Sequence, residues 1–117
     1  VVYVAPGGYH MLIQRDRIKL DTSPTLHGVR PAVDKLFASA SEIYGSGLLC
    51  CILTGMGRDG AAGAKAVKAK GGFVIAQDEA TSVIYGMPKA AYETGCVDVV
   101  MPCEKIAEEI VRLVRLV

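Results

Sequence analysis

The spacing of apolar side chains changes several times along the chain, and each change marks an element. Over 17–21, Ile18 and Leu20 alternate with Arg17, Lys19 and Asp21, the period of two expected of a half-exposed strand. The run HMLIQ from His10 to Gln14 precedes it, with only Arg15 and Asp16 between, so the pair predicts a hairpin. From Val33 the period lengthens. Val33, Leu36, Phe37, Ala40, Ile43 and Tyr44 recur at helical spacing, which leaves Asp34, Lys35, Ser41 and Glu42 on the outer side. Pro31 suits the first turn of this helix, and Gly45 its end. Leu48 to Leu53 is then apolar without interruption, as in a strand buried on both faces of a parallel sheet.

The alternation continues to the C-terminus. The pattern predicts a helix from about Asp59 to Lys70, closed by Gly71 and Gly72, and a strand over 73–77. A short helix after Pro88 and the strand VDVVM over 97–101 follow. A last helix starts at Pro102, with Ile106, Ile110, Leu113, Val114 and Val117 on one face. Val1 to Ala5 reads as a further short strand, stopped by Pro6, Gly7 and Gly8. Strands alternating with helices predict an α/β fold: a doubly wound, mostly parallel sheet, Rossmann-like, with an antiparallel hairpin near the N-terminus. The chain opens inside a strand-like run and without a methionine, so it is expected to be part of something longer.

Composition narrows the chemistry. Thirteen Lys and Arg against twelve Asp and Glu leave a net charge of +1, without the basic stripe of a nucleic-acid surface. No apolar run approaches the roughly 20 residues that cross a bilayer, and no secretory leader is visible, so no membrane insertion is expected. Cys50, Cys51, Cys96 and Cys103 form no C-x-x-C pair, and the adjacent Cys50 and Cys51 point to opposite faces of a strand. Free, largely buried thiols are expected, with no metal and no cofactor.

Gly55-Met56-Gly57-Arg58-Asp59-Gly60 joins the buried strand to the next helix. It fits the G-x-G-x-x-G turn of a dinucleotide site through Gly55, Gly57 and Gly60, with Asp78 and Glu79 about 20 residues further on. Asp59 argues against that use, because it puts a carboxylate where the pyrophosphate would sit. Two negative charges about 4 Å apart cost about 4 kcal/mol at an effective dielectric near 20. A kinase-type phosphate loop is excluded, since Ala61 and Ala62 follow Gly60. Asp59 itself has two readings. It is either the N-cap of its own helix, contributing about 1 kcal/mol, or an ionised acid at the carboxyl edge of the sheet, able to orient a histidine.

The stretch ILTGMGRDGAAGAKAVKAKGG resembles the signature around the triad aspartate of CheB-type chemotaxis protein-glutamate methylesterases. AQDEATSVIYGMPKAAYETGCVDVV after it, and VYVAPGGYHM and RPAVDKLF before it, extend the resemblance over nearly the whole chain. The resemblance implies a cytoplasmic hydrolase of glutamate methyl esters on methyl-accepting chemotaxis receptors, with glutamine deamidation in some members. It aligns Asp59 with the triad acid and Met56 with the residue whose backbone N–H helps form the oxyanion hole. It also implies that the nucleophilic serine, in a Gly-Ala-Ser-Thr-Gly-Gly loop, and the catalytic histidine precede Val1. Residues 1–117 would then be the C-terminal portion of the catalytic domain, inactive alone, with a receiver domain usual further upstream.

The remaining polar residues receive structural readings. Ser46 is expected in a solvated turn, and His27 in a loop without a chemical role. His10 is read as a polar residue at the sheet edge that could shape the substrate surface, and Met87 as core filling. Gln77, Asp78 and Glu79 are expected to satisfy loop N–H groups, and Arg30 to pair with Asp34. A dinucleotide-binding module and a receptor-docking fragment without hydrolysis remain the rival functions.

Overall fold

The structure is a computed structural model that describes residues 1–115. Its elements are β1 (His10–Gln14), β2 (Arg17–Asp21), α1 (Val33–Tyr44), β3 (Leu49–Ile52), α2 (Ala61–Ala69), β4 (Phe73–Gln77), α3 (Met87–Glu93), β5 (Val99–Met101) and α4 (Cys103–Arg115). β1 and β2 form the expected antiparallel hairpin, with Gln14 opposite Arg17 and His10 opposite Asp21. The two-residue turn closes because Asp16 adopts φ 64°, a left-handed conformation that aspartate reaches more readily than most residues. β3, β4 and β5 lie side by side in that order and run parallel, with Leu49 beside Phe73 and Ile75 beside Val99.

The core lies between this sheet and three helices. Phe37 of α1, Ala64 and Val67 of α2, and Ala91 of α3 pack with Cys50, Ile52 and Val74. Ile75 points to the other face of β4 and is also fully buried, and α4 packs against β4. Helices on both faces of a parallel sheet, with a separate hairpin, make the expected α/β arrangement.

Several expectations are corrected. Val1–Ala5 forms no strand, because no neighbouring strand among the described residues pairs with it, and Val1 to Val4 are exposed. α1 begins at Val33 with Ala32 as its N-cap, so Pro31 precedes the helix and is not in its first turn. α2 begins at Ala61 with Gly60, not Asp59, at its N-cap. Asp34 and Ser41, expected on the outer side of α1, are buried. The Ser41 hydroxyl satisfies itself by donating to the Ala38 carbonyl at 2.7 Å. On α4, Ile106 is buried and Val114 exposed, while Val117 lies outside the described residues. Among the described residues no helix is long and apolar enough to cross a membrane.

Candidate active site

The loop after β3 is shaped by its glycines. Gly57 at φ 95° and Gly60 at φ 101° need the left-handed freedom that glycine has. Gly86, on the loop before α3, is required for space, since a Cβ there would lie 2.7 Å from the Gly55 carbonyl oxygen. The two loops are joined where the Gly55 N–H donates to the Ile84 carbonyl at 3.1 Å and the Met87 N–H to the Gly55 carbonyl at 2.8 Å. Met87 packs on the core, as expected. Gln77, buried at the end of β4, accepts from the Thr54 N–H at 2.7 Å and donates to the Thr81 carbonyl at 2.9 Å. Asp78 accepts from the Thr81 N–H at 3.0 Å. Met56 stands at the loop tip, 81% exposed. Its N–H has no acceptor among the described residues.

Asp59 is only 7% exposed. It does not cap its own helix: Oδ2 accepts from the Val33 N–H at 2.6 Å and Oδ1 from the Asp34 N–H at 2.9 Å, both in the first turn of α1. Asp34 reciprocates. Its Oδ1 accepts from the Gly60 and Gly63 N–H groups at 2.9 and 2.7 Å, at the start of α2. Its Oδ2 accepts from His27 Nε2 at 2.8 Å. α2 is thus capped by an acid of α1, and α1 by the acid two residues before α2, where the helix dipole favours negative charge. An ionised carboxylate offers about four lone-pair sites, and Asp59 uses two of them on α1.

This double cap overturns the dinucleotide reading of Gly55, Gly57 and Gly60. The N–H groups of Gly60 and Gly63, which a pyrophosphate would need, already hold the Asp34 carboxylate. A carboxylate does occupy the phosphate position, as the sequence predicts, but it is that of Asp34 and not of Asp59. His27, Asp34 and Asp59 offer ligand atoms within 4.8 Å of one another, close enough for a metal ion. N–H donors of the chain reach all four carboxylate oxygens of Asp34 and Asp59, so hydrogen bonding alone brings these three side chains together.

Other polar residues also fall elsewhere than expected. His10 is fully buried and lines no surface. Its Nδ1 accepts from the Ala32 N–H at 3.2 Å and Nε2 donates to the Pro24 carbonyl at 2.9 Å. Arg30 does not pair with Asp34; its Nη1 donates to the Thr22 and Ser23 carbonyls at 3.0 and 3.1 Å. Ser46 is exposed, as expected, in a single 3-10 turn, Gly45–Gly47, between α1 and β3. Asp34 and His27 are the pair that sequence reasoning missed. Its one local signal was an acid in the first turn of a helix. The groups it caps lie 26 and 29 residues away, beyond the reach of any local period.

Residues 1–110 match the family model for CheB methylesterase. Over 116 residues the chain is 57% identical to a protein-glutamate methylesterase/protein-glutamine glutaminase of Clostridium acetobutylicum, covering 98% of this chain and 34% of that protein. A protein of the same name from Pyrococcus horikoshii is 50% identical over 119 residues, covering 98% of this chain and 32% of that protein. The chain therefore spans about a third of the length of these relatives. Its fold matches the crystal structure of the Thermotoga maritima CheB methylesterase catalytic domain with a TM-score of 0.90 at 46% identity, covering 95% of this chain and 61% of that one. With a family match over most of its length and relatives this similar, the chain belongs to the CheB methylesterase family.

Proposed function

We propose that this chain supplies the acid of a Ser-His-Asp site, Asp59, and one donor of its oxyanion hole, the Met56 N–H, to a protein-glutamate methylesterase. In this reading residues 1–117 are the C-terminal portion of the catalytic domain. The nucleophilic serine and the histidine base come from polypeptide preceding Val1 in the full-length protein, and the chain alone does not hydrolyse esters. The serine oxygen attacks the γ-carbonyl of a glutamate methyl ester while the histidine takes its proton. Methanol leaves with that proton, and water cleaves the acyl-enzyme to release glutamate. With glutamine the leaving group is ammonia, and the same steps amount to deamidation. Asp59 holds the histidine in its working tautomer and balances the imidazolium, while the Met56 N–H stabilises the oxyanion.

One observation carries this reading. A buried carboxylate is fixed by two N–H groups at the carboxyl end of a parallel sheet, with lone pairs left to receive an imidazole N–H. The unpartnered N–H of Met56 in the same loop suits an oxyanion donor. The ester and amide substrates are those in the relatives' names, protein-glutamate methylesterase/protein-glutamine glutaminase. Exposed apolar side chains beside the loop, Met56, Val83 and Ile84, suit a protein substrate, and the resemblance makes it the cytoplasmic helices of chemoreceptors. A cytoplasmic setting and an upstream receiver domain belong to the same proposal.

The test is Asp59→Asn in the full-length protein, assayed by methanol release from methylated receptor. Turnover is expected to fall about 10⁴-fold, as in wrong-tautomer triads. Asparagine has one oxygen, so one of the two α1 N–H groups loses its acceptor and stability also falls, by about 1–2 kcal/mol. A folded variant with near-normal turnover would leave Asp59 a helix cap and nothing more.

A further inference from the structure

Asp59 is held from both sides. The residue after it, Gly60, gives its N–H to Asp34 Oδ1 at 2.9 Å. The residue before it, Arg58, points its Nε–H at His27 Nδ1 over a long 3.4 Å. His27 Nε2 in turn donates to Asp34 Oδ2 at 2.8 Å. The Arg58 contact assigns the tautomer: Nδ1 accepts, so Nε2 carries the hydrogen that Asp34 takes. Asp34 also lends its own N–H to Asp59 Oδ1 at 2.9 Å.

We propose that the His27–Asp34 pair is a positioning clamp for the catalytic acid, fixing both neighbours of Asp59 and the helix terminus on which its carboxylate rests. The proposal rests on the reading of Asp59 as the triad acid. Neither His27 nor Asp34 takes part in the chemistry. The need for a clamp follows from the loop, in which Asp59 lies between Gly57 and Gly60, both at positive φ. Those are the residues with the most conformational freedom. A misplacement of about 1 Å in a reacting group costs about 10²-fold in rate.

The test uses the full-length protein and methanol release from methylated receptor. His27→Ala should lower kcat by about 10–100-fold and leave KM within about twofold. His27→Gln, whose side-chain N–H can replace the Nε2 donor, should recover most of the loss. Because the clamp acts through Asp59, His27→Ala should cost little more in an Asp59→Asn background. Rates are taken per folded protein, with the folded fraction read from circular dichroism melts. If His27→Ala turns over within about twofold of wild type while Asp59→Asn is inactive, the triad reading stands and the clamp is wrong. Equal losses in both backgrounds, or no recovery with glutamine, also overturn it, since general loosening gives that result. Full activity in Asp59→Asn removes the triad reading and the clamp with it.

Discussion

At Cys50, burial is the main influence on the chemistry of a side chain, with a smaller push from the neighbouring Cys51. Cys50 faces the core beside Phe37 and Val67, and burial pushes its thiol from an ordinary value of 9.0 up to about 12. Burial likewise pushes Cys51, on the opposite face of β3, up to about 11. The thiolate is the reactive form, so neither residue should be nucleophilic near neutral pH, while Cys103 is exposed. At pH 8 a thiol-alkylating reagent should modify Cys103 first and reach Cys50 only after unfolding, as peptide mapping by mass spectrometry would show. Rapid labelling of Cys50 in folded protein would mean that the packing of β3 is wrong. The same shift has a sign for stability. Between pH 9 and 12 the unfolded chain has lost a Cys50 proton that the folded chain keeps. The contribution of this thiol is therefore complete below about pH 9 and is lost as pH rises toward the folded value. Cys50→Ala should flatten that part of an alkaline unfolding profile relative to wild type.

Between elements, the contact that governs the site is the one between α1 and α2, and it turns on Gly63. A Cβ at this position would lie 2.8 Å from the Phe37 Cβ and 3.2 Å from Asp34 Oδ1. On an exposed helix Gly→Ala gains about 1 kcal/mol. Overpacking a core costs about 1–3 kcal/mol, and here the pressure also falls on the acid that caps α2. The net of cost and gain is a loss of up to about 2 kcal/mol, so Gly63→Ala should lower the unfolding free energy by that amount or less, seen as a lower urea midpoint at constant slope. A raised midpoint would show that the helices separate freely. The elements themselves are legible, since β2 and α1 carry their own periods and β4 is an apolar run bounded by Gly71-Gly72 and Asp78. What joins them is not. Asp59 could be read as an acid at the start of α2, yet its partners are 26 and 25 residues away on α1. Periodicity puts Asp34 and Ser41 on the outer side because it separates apolar from polar and takes polar to mean exposed. Asp34, buried to cap a distant helix, breaks that equation, and so does Ser41, whose hydroxyl is satisfied within its own helix.

For the whole molecule, the informative failure is Val1–Ala5. Its composition suits a strand, but a strand exists only within a ladder, and no partner is paired with it among the described residues. Val2 and Val4 are left 88% and 84% exposed. β3 meanwhile forms one edge of its sheet, and its four residues carry no charge. Uncharged edges and exposed apolar runs are templates for association. The 117-residue chain by itself should therefore self-associate, with an average mass in sedimentation that rises with concentration. Burying a valine contributes about 1.5–3 kcal/mol, so replacing both Val2 and Val4 by lysine should weaken association by about 100-fold or more. The melting temperature should hardly move, because side chains this exposed support nothing in the folded chain. If wild type stayed monomeric over the whole concentration range, these apolar residues would have to be satisfied within one molecule. If instead the lysine variant associated as strongly as wild type, the contact would have to lie elsewhere, with the uncharged edge of β3 the next surface to alter.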